Sequence, residues 1–314
     1  MKRAFWVLSA LALLAGTVTP ANAGYVYWAD FDGRIERAQL DGTGRTPLVT
    51  GLNSPFGIAL DVPGGKIYWA DANAREIGQA NLDGTGRTTL VSGLNFPIGI
   101  ALNTAARQVY WTETDRIQRA NLDGTGVTTI VTGVGLGSGI ALDPLAGKMY
   151  WIDRNKGIER ANLDGSGQTT IIPGANSFFY LDLDPFAGKM YWTDLAQGAI
   201  DSANLDGSGR ATLLSGLNSP SGIALDRANE RLYWGSLNNG TIEYANVDGT
   251  GHGTLLTGLT IPEGIALDLS VVPEPASLTL FGMGLTALAA YGWRRFGSFT
   301  PRRAGDLRGR RRRD

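Results

Sequence analysis

The sequence predicts an all-β fold: a six-bladed β-propeller with four-stranded antiparallel blades, followed by a single C-terminal transmembrane helix. Three observations carry the prediction. An aromatic pair recurs six times, at Tyr27-Trp28, Tyr68-Trp69, Tyr110-Trp111, Tyr150-Trp151, Tyr191-Trp192 and Tyr233-Trp234, with tryptophan spacings of 41, 42, 40, 41 and 42 residues. A turn signal, Asp-Gly-Thr/Ser-Gly, keeps the same period from Asp41 to Asp248. Between these markers lie short runs rich in Ile, Val, Thr, Tyr and Trp, four to a repeat, with no amphipathic helical pattern among them. A period of about 40 residues with four strands is the signature of a propeller blade.

Each run has a local reason to be a strand. In the repeat that opens at Gly139, Gly-Ile-Ala-Leu-Asp is the first run, and Lys148–Asp153 (KMYWID) is the second. The third begins at Ile158 (IERANLD) and the fourth at Gln168 (QTTII). All are bounded by Gly, Asp, Asn or Pro. Asp-Gly between the third and fourth is a hairpin signal, because glycine accepts the positive φ of a tight turn. Neighbouring residues on a strand face opposite sides, so Tyr and Trp are expected to fill the gaps to two different adjacent blades. Gly-Ile-Ala-Leu-Asp/Asn, present at Gly57, Gly99, Gly139, Gly222 and Gly264, suits the innermost strand, where small residues let backbones approach. The chain opens on an aromatic strand with no such run before it and ends on such a run with no aromatic strand after it. Residues 264–268 are therefore expected to pair with 25–30 and close the ring, leaving no open edge.

Tyr191-Trp192-Thr193-Asp194 reads YWTD, and the other copies read YWAD, YWAD, YWTE, YWID and YWGS. With the IERANLDG and GIALD segments, residues 24–270 resemble the LDL-receptor class B repeat. The resemblance implies a six-bladed propeller in an extracellular setting, binding protein ligands or holding neighbouring modules in place. The cysteine-rich modules that flank animal propellers are missing, so lipoprotein uptake is not carried over.

The two ends read as addresses. Met1-Lys2-Arg3, an apolar run from Ala4 to Gly16 and Ala21-Asn22-Ala23 make a signal peptide over 1–23. Near the other end, 276–293 form an uncharged apolar stretch long enough to span most of a bilayer as a helix. Pro273-Glu274-Pro275 precedes it, Arg294-Arg295 follows at once, and a basic tail occupies 297–314. The three-part order over 271–296 resembles the PEP-CTERM sorting signal of Gram-negative bacteria. That resemblance implies handling by an exosortase and a link to exopolysaccharide and biofilm material. The expected location is the cell surface, outer envelope or exterior, with the C-terminal segment in the inner membrane before processing.

Composition narrows the chemistry. There is no cysteine, which removes disulfides, thiolate metal sites and a cysteine nucleophile, and there is one histidine. Residues 24–270 hold 17 Lys+Arg against 26 Asp+Glu, so the body is acidic and nucleic acid is not an expected partner. No cofactor and no metal are expected. The Asp-Gly-Thr-Gly corners each offer one carboxylate, too few and too far apart for calcium. His252, in the last of these corners, reads as a solvated turn residue, and Gly133–Gly139 as a flexible interblade loop. The fourth repeat departs from the others: Tyr180 and Asp182 replace Gly and Ala near the axis, beside Phe178 and Phe179. The loops after each aromatic strand vary most (FDGR, ANARE, ETDR, RNKG, LAQG, LNNG) and share a rim with the residues before the inner strands. Variation on a fixed scaffold places specificity in loops. The expected ligand-contact set is therefore Phe56, Ile98, Phe179, Tyr180, Asp182 and Glu263. The leading reading is an exported, non-enzymatic surface or matrix protein that binds a protein or polysaccharide through this rim. Its rivals are a structural spacer without a specific ligand and a metal-dependent, lactonase-like hydrolase using the central channel.

Overall fold

A computed structural model describes residues 24–174 and 177–270. The expected signal peptide, transmembrane helix, sorting signal and basic tail lie outside the described residues. Among those residues there are twenty-four strands and no helix long and apolar enough to cross a membrane.

The strands form six four-stranded antiparallel sheets, the expected propeller blades. Blade 1 holds β1 (Tyr25–Asp30), β2 (Arg34–Gln39) and β3 (Thr46–Thr50). Blade 2 holds β4 (Pro55–Asp61), β5 (Lys66–Asp71), β6 (Glu76–Asn81) and β7 (Thr88–Ser92). Blade 3 holds β8 (Ile100–Asn103), β9 (Gln108–Thr112), β10 (Arg116–Asn121) and β11 (Thr128–Thr132). Blade 4 holds β12 (Gly137–Asp143), β13 (Lys148–Asp153), β14 (Gly157–Asn162) and β15 (Thr169–Pro173). Blade 5 holds β16 (Phe178–Asp184), β17 (Lys189–Asp194), β18 (Ala199–Asn204) and β19 (Ala211–Leu214). Blade 6 holds β20 (Pro220–Asp226), β21 (Arg231–Ser236), β22 (Thr241–Asn246) and β23 (Gly253–Leu256), and β24 (Pro262–Asp268) returns to blade 1. There it pairs with β1, Tyr25 opposite Asp268 and Asp30 opposite Pro262. The two ends of the propeller thus share one sheet.

The Tyr-Trp pair is the mortar between blades. Each seam holds a tyrosine from one blade and a tryptophan from the next: Tyr27 with Trp69, Tyr68 with Trp111, Tyr110 with Trp151, Tyr150 with Trp192, Tyr191 with Trp234 and Tyr233 with Trp28. All six tryptophans are fully buried. At about 25 cal/mol per Å² each ring contributes up to about 4–6 kcal/mol of burial. Alternation along a strand makes this possible with two adjacent residues, because both faces of a blade are covered.

The inner strands touch directly. Gly57 N–H donates to the Ile98 carbonyl at 2.9 Å, and a Cβ on Gly57 would stand 2.6 Å from that oxygen. The glycine is therefore required by the approach of two backbones at the axis. Outside blade 3, where β8 begins at Ile100, the inner strands start before the glycine motif, with a register irregularity such as that between Pro55 and Ile58. For this reason Gly137–Gly139, expected in a flexible loop, belongs to β12.

One glycine elsewhere carries a prediction. Gly78 sits opposite Trp69 across the β5–β6 ladder, where blades 1, 4 and 6 have Glu36, Glu159 and Glu243. The Trp69 indole occupies the space that a Cβ at Gly78 would need. Gly78→Val is expected to cost about 1–3 kcal/mol by forcing that ring out of its place, read as a lower urea midpoint. An unchanged midpoint would contradict this packing.

Candidate functional site

The rim is built by the fourth residue of the YWTD motif. Asp71 carboxylate oxygens accept hydrogen bonds from Asn53 N–H at 2.8 Å and Ser54 N–H at 2.9 Å. Asp30 accepts from Thr260 N–H at 3.0 Å and Ile261 N–H at 2.8 Å. Glu113 accepts from Asn95 N–H at 2.5 Å and, in blade 3 alone, from the indole N–H of its own tryptophan, Trp111, at 3.1 Å. In blade 6 the role is inverted: Ser236 hydroxyl donates to the Asn218 carbonyl at 2.8 Å. Each acid ties the connection entering an inner strand to the end of an aromatic strand. Backbone bonds such as Phe31 N–H to Ile261 C=O at 3.1 Å and Ala72 N–H to Ser54 C=O at 3.0 Å complete the rim. Loops of variable sequence are thus held on a stiff frame.

On that frame three phenylalanines from neighbouring connections form a row. Phe31 meets Phe56 edge-on, ring centroids 5.9 Å apart, and Phe56 meets Phe96 at 6.1 Å. Phe31 and Phe96 are 41% and 37% exposed, and Phe56 is half-buried between them. Leu136, 48% exposed, stands on the corresponding connection of blade 4. Of this row, sequence reasoning singled out only Phe56. Phe31 was visible as the first residue of the variable FDGR loop, but nothing local says that it reaches a neighbour's ring.

The other expected contact residues are placed differently. Ile98 and Phe179 are buried, with Phe179 packed edge-on against Tyr180 at 5.0 Å and covered by Arg154. Glu263 is buried, and its carboxyl accepts a hydrogen bond from Ser221 at 2.8 Å. Burial pushes the Glu263 carboxyl up to about 7 against the help of the serine, and the Asp30 charge adds to the rise.

Tyr180 and Asp182 line the axial cavity of about 400 Å³, together with aliphatic inner-strand residues and Arg227. The Asp182 carboxylate accepts from Leu183 N–H at 2.7 Å and from Leu225 N–H at 2.9 Å, which staples the inner strands of blades 5 and 6. Desolvation raises the Asp182 carboxyl above the ordinary range even so. Tyr180 hydroxyl is buried without a hydrogen-bond partner among the described residues, and burial pushes it well above the usual phenol range. Both oxygens of Asp182 are already engaged, so its chemistry here is that of a clasp between blades. Among the described residues no three His, Asp or Glu side chains gather as a metal site.

The corner aspartates are likewise used by their own turns. Asp41 accepts from Thr43 N–H at 2.8 Å and Thr43 hydroxyl at 2.7 Å, and the five later corners repeat this pair. The hydroxyl donor holds these carboxyls below the usual range.

His252 is exposed in its turn, as expected, and it also has partners. Its Nε2 lies 2.8 Å from Glu243, and its ring lies 5.3 Å from the Trp234 ring. Arg45 and Arg210 occupy the same position in blades 1 and 5, paired with Glu36 and Asp201 over Trp28 and Trp192. His252→Arg restores a permanently charged partner for the acid and the indole. It is expected to raise stability by about 0.5 kcal/mol in urea unfolding, since the pair is partly exposed. A fall would contradict the comparison between blades.

The family model for the low-density lipoprotein receptor repeat class B matches residues 188–227. A PEP-CTERM protein-sorting motif matches 271–295, the stretch containing Pro273-Glu274-Pro275 and Arg294-Arg295. A 64-residue stretch is 42% identical to low-density lipoprotein receptor-related protein 5 of Homo sapiens, and a 61-residue stretch is 43% identical to that of Mus musculus. The matches cover 19% and 18% of this chain and 4% of each relative, so the chain spans a small part of those proteins. Among solved structures, a chain of the crystal structure of a nidogen/laminin complex aligns with a TM-score of 0.72 and 25% identity, over 79% of this chain and all of the other.

The fold is a six-bladed propeller, and one of its repeats, 188–227, matches the class B repeat model. More particularly, the chain carries the low-density lipoprotein receptor class B repeat together with a PEP-CTERM motif, which marks an exported protein with a membrane-anchored C-terminal sorting signal of the kind exosortases process.

Proposed function

We propose that this protein is a non-enzymatic binding module of the cell surface or extracellular matrix, and that its partner is a protein docked on the rim along Phe31, Phe56 and Phe96. The observation that carries the reading is the row itself. Three aromatic rings stand partly exposed on connections pinned by buried acids, and a folded domain seldom leaves such rings together in water without a use for them. Rigid aromatic side chains lose little entropy on docking. The similarity to a propeller chain crystallised within a protein–protein complex supports the choice of partner class. Ile98, Phe179 and Glu263 then support the rim from beneath, while Tyr180 and Asp182 shape the channel below it.

The test places a photo-crosslinking amino acid at Phe96 of the full chain in producing cells and identifies adducts by mass spectrometry. Binding of purified exopolysaccharide to the same protein is measured in parallel. A discrete protein adduct that disappears in the Phe31→Ala/Phe56→Ala double variant is the expected result. A polysaccharide complex sensitive to the same double variant would move the partner class to glycan. Neither adduct nor complex would overturn the reading in favour of a spacer.

A further inference from the structure

The face opposite the rim carries a separate signal. It is formed by the turns that join each inner strand to its aromatic strand and by the Asp-Gly corners. Two of those turns, Asp143-Pro144-Leu145-Ala146-Gly147 and Asp184-Pro185-Phe186-Ala187-Gly188, lie in adjacent blades and present Leu145 and Phe186 at 85% and 83% exposure. These are the most exposed large apolar side chains among the described residues. Pro63, Ala105 and Ala228 hold the same turn position in blades 2, 3 and 6, so the turn itself asks for nothing large.

The tips are firmly held. Asp143 accepts from Ala146 N–H at 3.0 Å, and Asp184 accepts from Phe186 and Ala187 N–H at 3.1 Å each. Proline fixes φ at the residue before each tip. The same face is where the described chain ends. Asp268 caps Ser270 through its N–H at 2.9 Å and its hydroxyl at 2.6 Å, in the position where the other blades begin this turn. Leu269 there is 38% exposed. Only residues 271–275 separate Ser270 from the uncharged stretch 276–293 of the membrane-anchored signal. Fully extended, those six peptide steps reach about 20 Å. A chain anchored through 276–293 would meet lipid at a high effective concentration within that reach.

We propose that the lower face of the propeller rests on the membrane, with Leu145 and Phe186 inserted at the headgroup level while the sorting signal is in place. Lipid is the favoured occupant because the chain leaves from this face toward a bilayer and two rigid apolar tips fit a soft apolar surface without a shaped counterpart. The periphery of the face carries six exposed corner aspartates, Asp41, Asp83, Asp123, Asp164, Asp206 and Asp248, with Lys148 and Lys189 only half-buried, so attraction by anionic headgroups does not hold it and insertion must be apolar.

The absence of cysteine allows a direct test. Full-length Leu145→Cys, Phe186→Cys and, on the rim, Asn53→Cys are spin-labelled in vesicles of phosphatidylethanolamine and phosphatidylglycerol. Relaxation by oxygen reports lipid, and relaxation by a water-soluble nickel chelate reports solvent. The labels at 145 and 186 are expected to favour oxygen, the label at 53 to favour nickel, and added salt to change neither. Introducing Phe186→Glu is expected to return the 145 label to water. Nickel-favoured relaxation at all three positions would overturn the proposal. So would loss of both relaxations at 145 and 186 with spin–spin broadening that grows with protein density, since that result assigns the face to a second copy of the chain.

Discussion

A chain that stops at Thr260 is expected not to fold, whereas one that stops at Ser270 keeps the propeller. The ten residues between include all of β24, the inner strand of blade 1. Without it β1 has a bare edge at the axis, Asp30 loses the Ile261 N–H outright and the strand that holds the Thr260 N–H in place, and Ile265 leaves the seam that contains Trp28 and Tyr233. A ring cannot close over a missing inner strand, so the neighbouring inner strands at Phe56 and Gly222 lose support as well. The sum is comparable to the roughly 5–15 kcal/mol that separates folded domains from unfolded chains. Thermal circular dichroism is the measurement: a cooperative transition in the 24–260 chain would refute this account of closure, and a missing one in 24–270 would refute the domain limits.

The second large effect is a pH dependence seated at Glu263. In the unfolded chain this carboxyl has its ordinary value of 4.5, and in the fold burial raises it to about 7. Below the lower value it is protonated in both states and costs nothing. As pH rises toward and through about 7, the unfolded chain releases its proton first, so the folded state loses stability over that window. The shift amounts to about 3 kcal/mol at full development. Glu263→Gln keeps an acceptor for Ser221 and removes the titration. The variant is expected to match the parent near pH 4.5 and to exceed it by about 2–3 kcal/mol at pH 8 in urea unfolding. Parallel profiles for the two proteins would show that Glu263 does not ionise against its surroundings. A glutamate retained here stands directly beneath the proposed docking rim, and the same profile measured with a partner bound would show whether docking changes its burial.

Much of the molecule was readable along the chain because a propeller repeats. The tryptophan period, the Asp-Gly corners and the glycine-led inner run are each local, and six copies remove the ambiguity that one would leave. The expectation that Tyr and Trp serve different seams needed only the alternation of a strand, and the six clusters obey it. The acids of YWTD are a different case. Nothing near Asp71 in sequence shows that it caps Asn53 and Ser54, because the partners belong to the segment entering its own blade and are brought over by the fold. His252 is exposed in its turn as expected, but its partners were not legible, since Glu243 and Trp234 lie on two strands of its blade that are distant in sequence.

Period and alternation, then, are properties of neighbours in the chain, and they sufficed for blade number, strand order and the packing role of the aromatic pair. Exposure is a property of neighbours in space. Whether Phe56 reaches solvent while Ile98 and Glu263 do not depends on how six connections crowd one rim, and whether Asp182 is a ligand or a clasp depends on where the Leu225 amide of the next blade arrives. Those outcomes follow from ring closure, which no single repeat encodes.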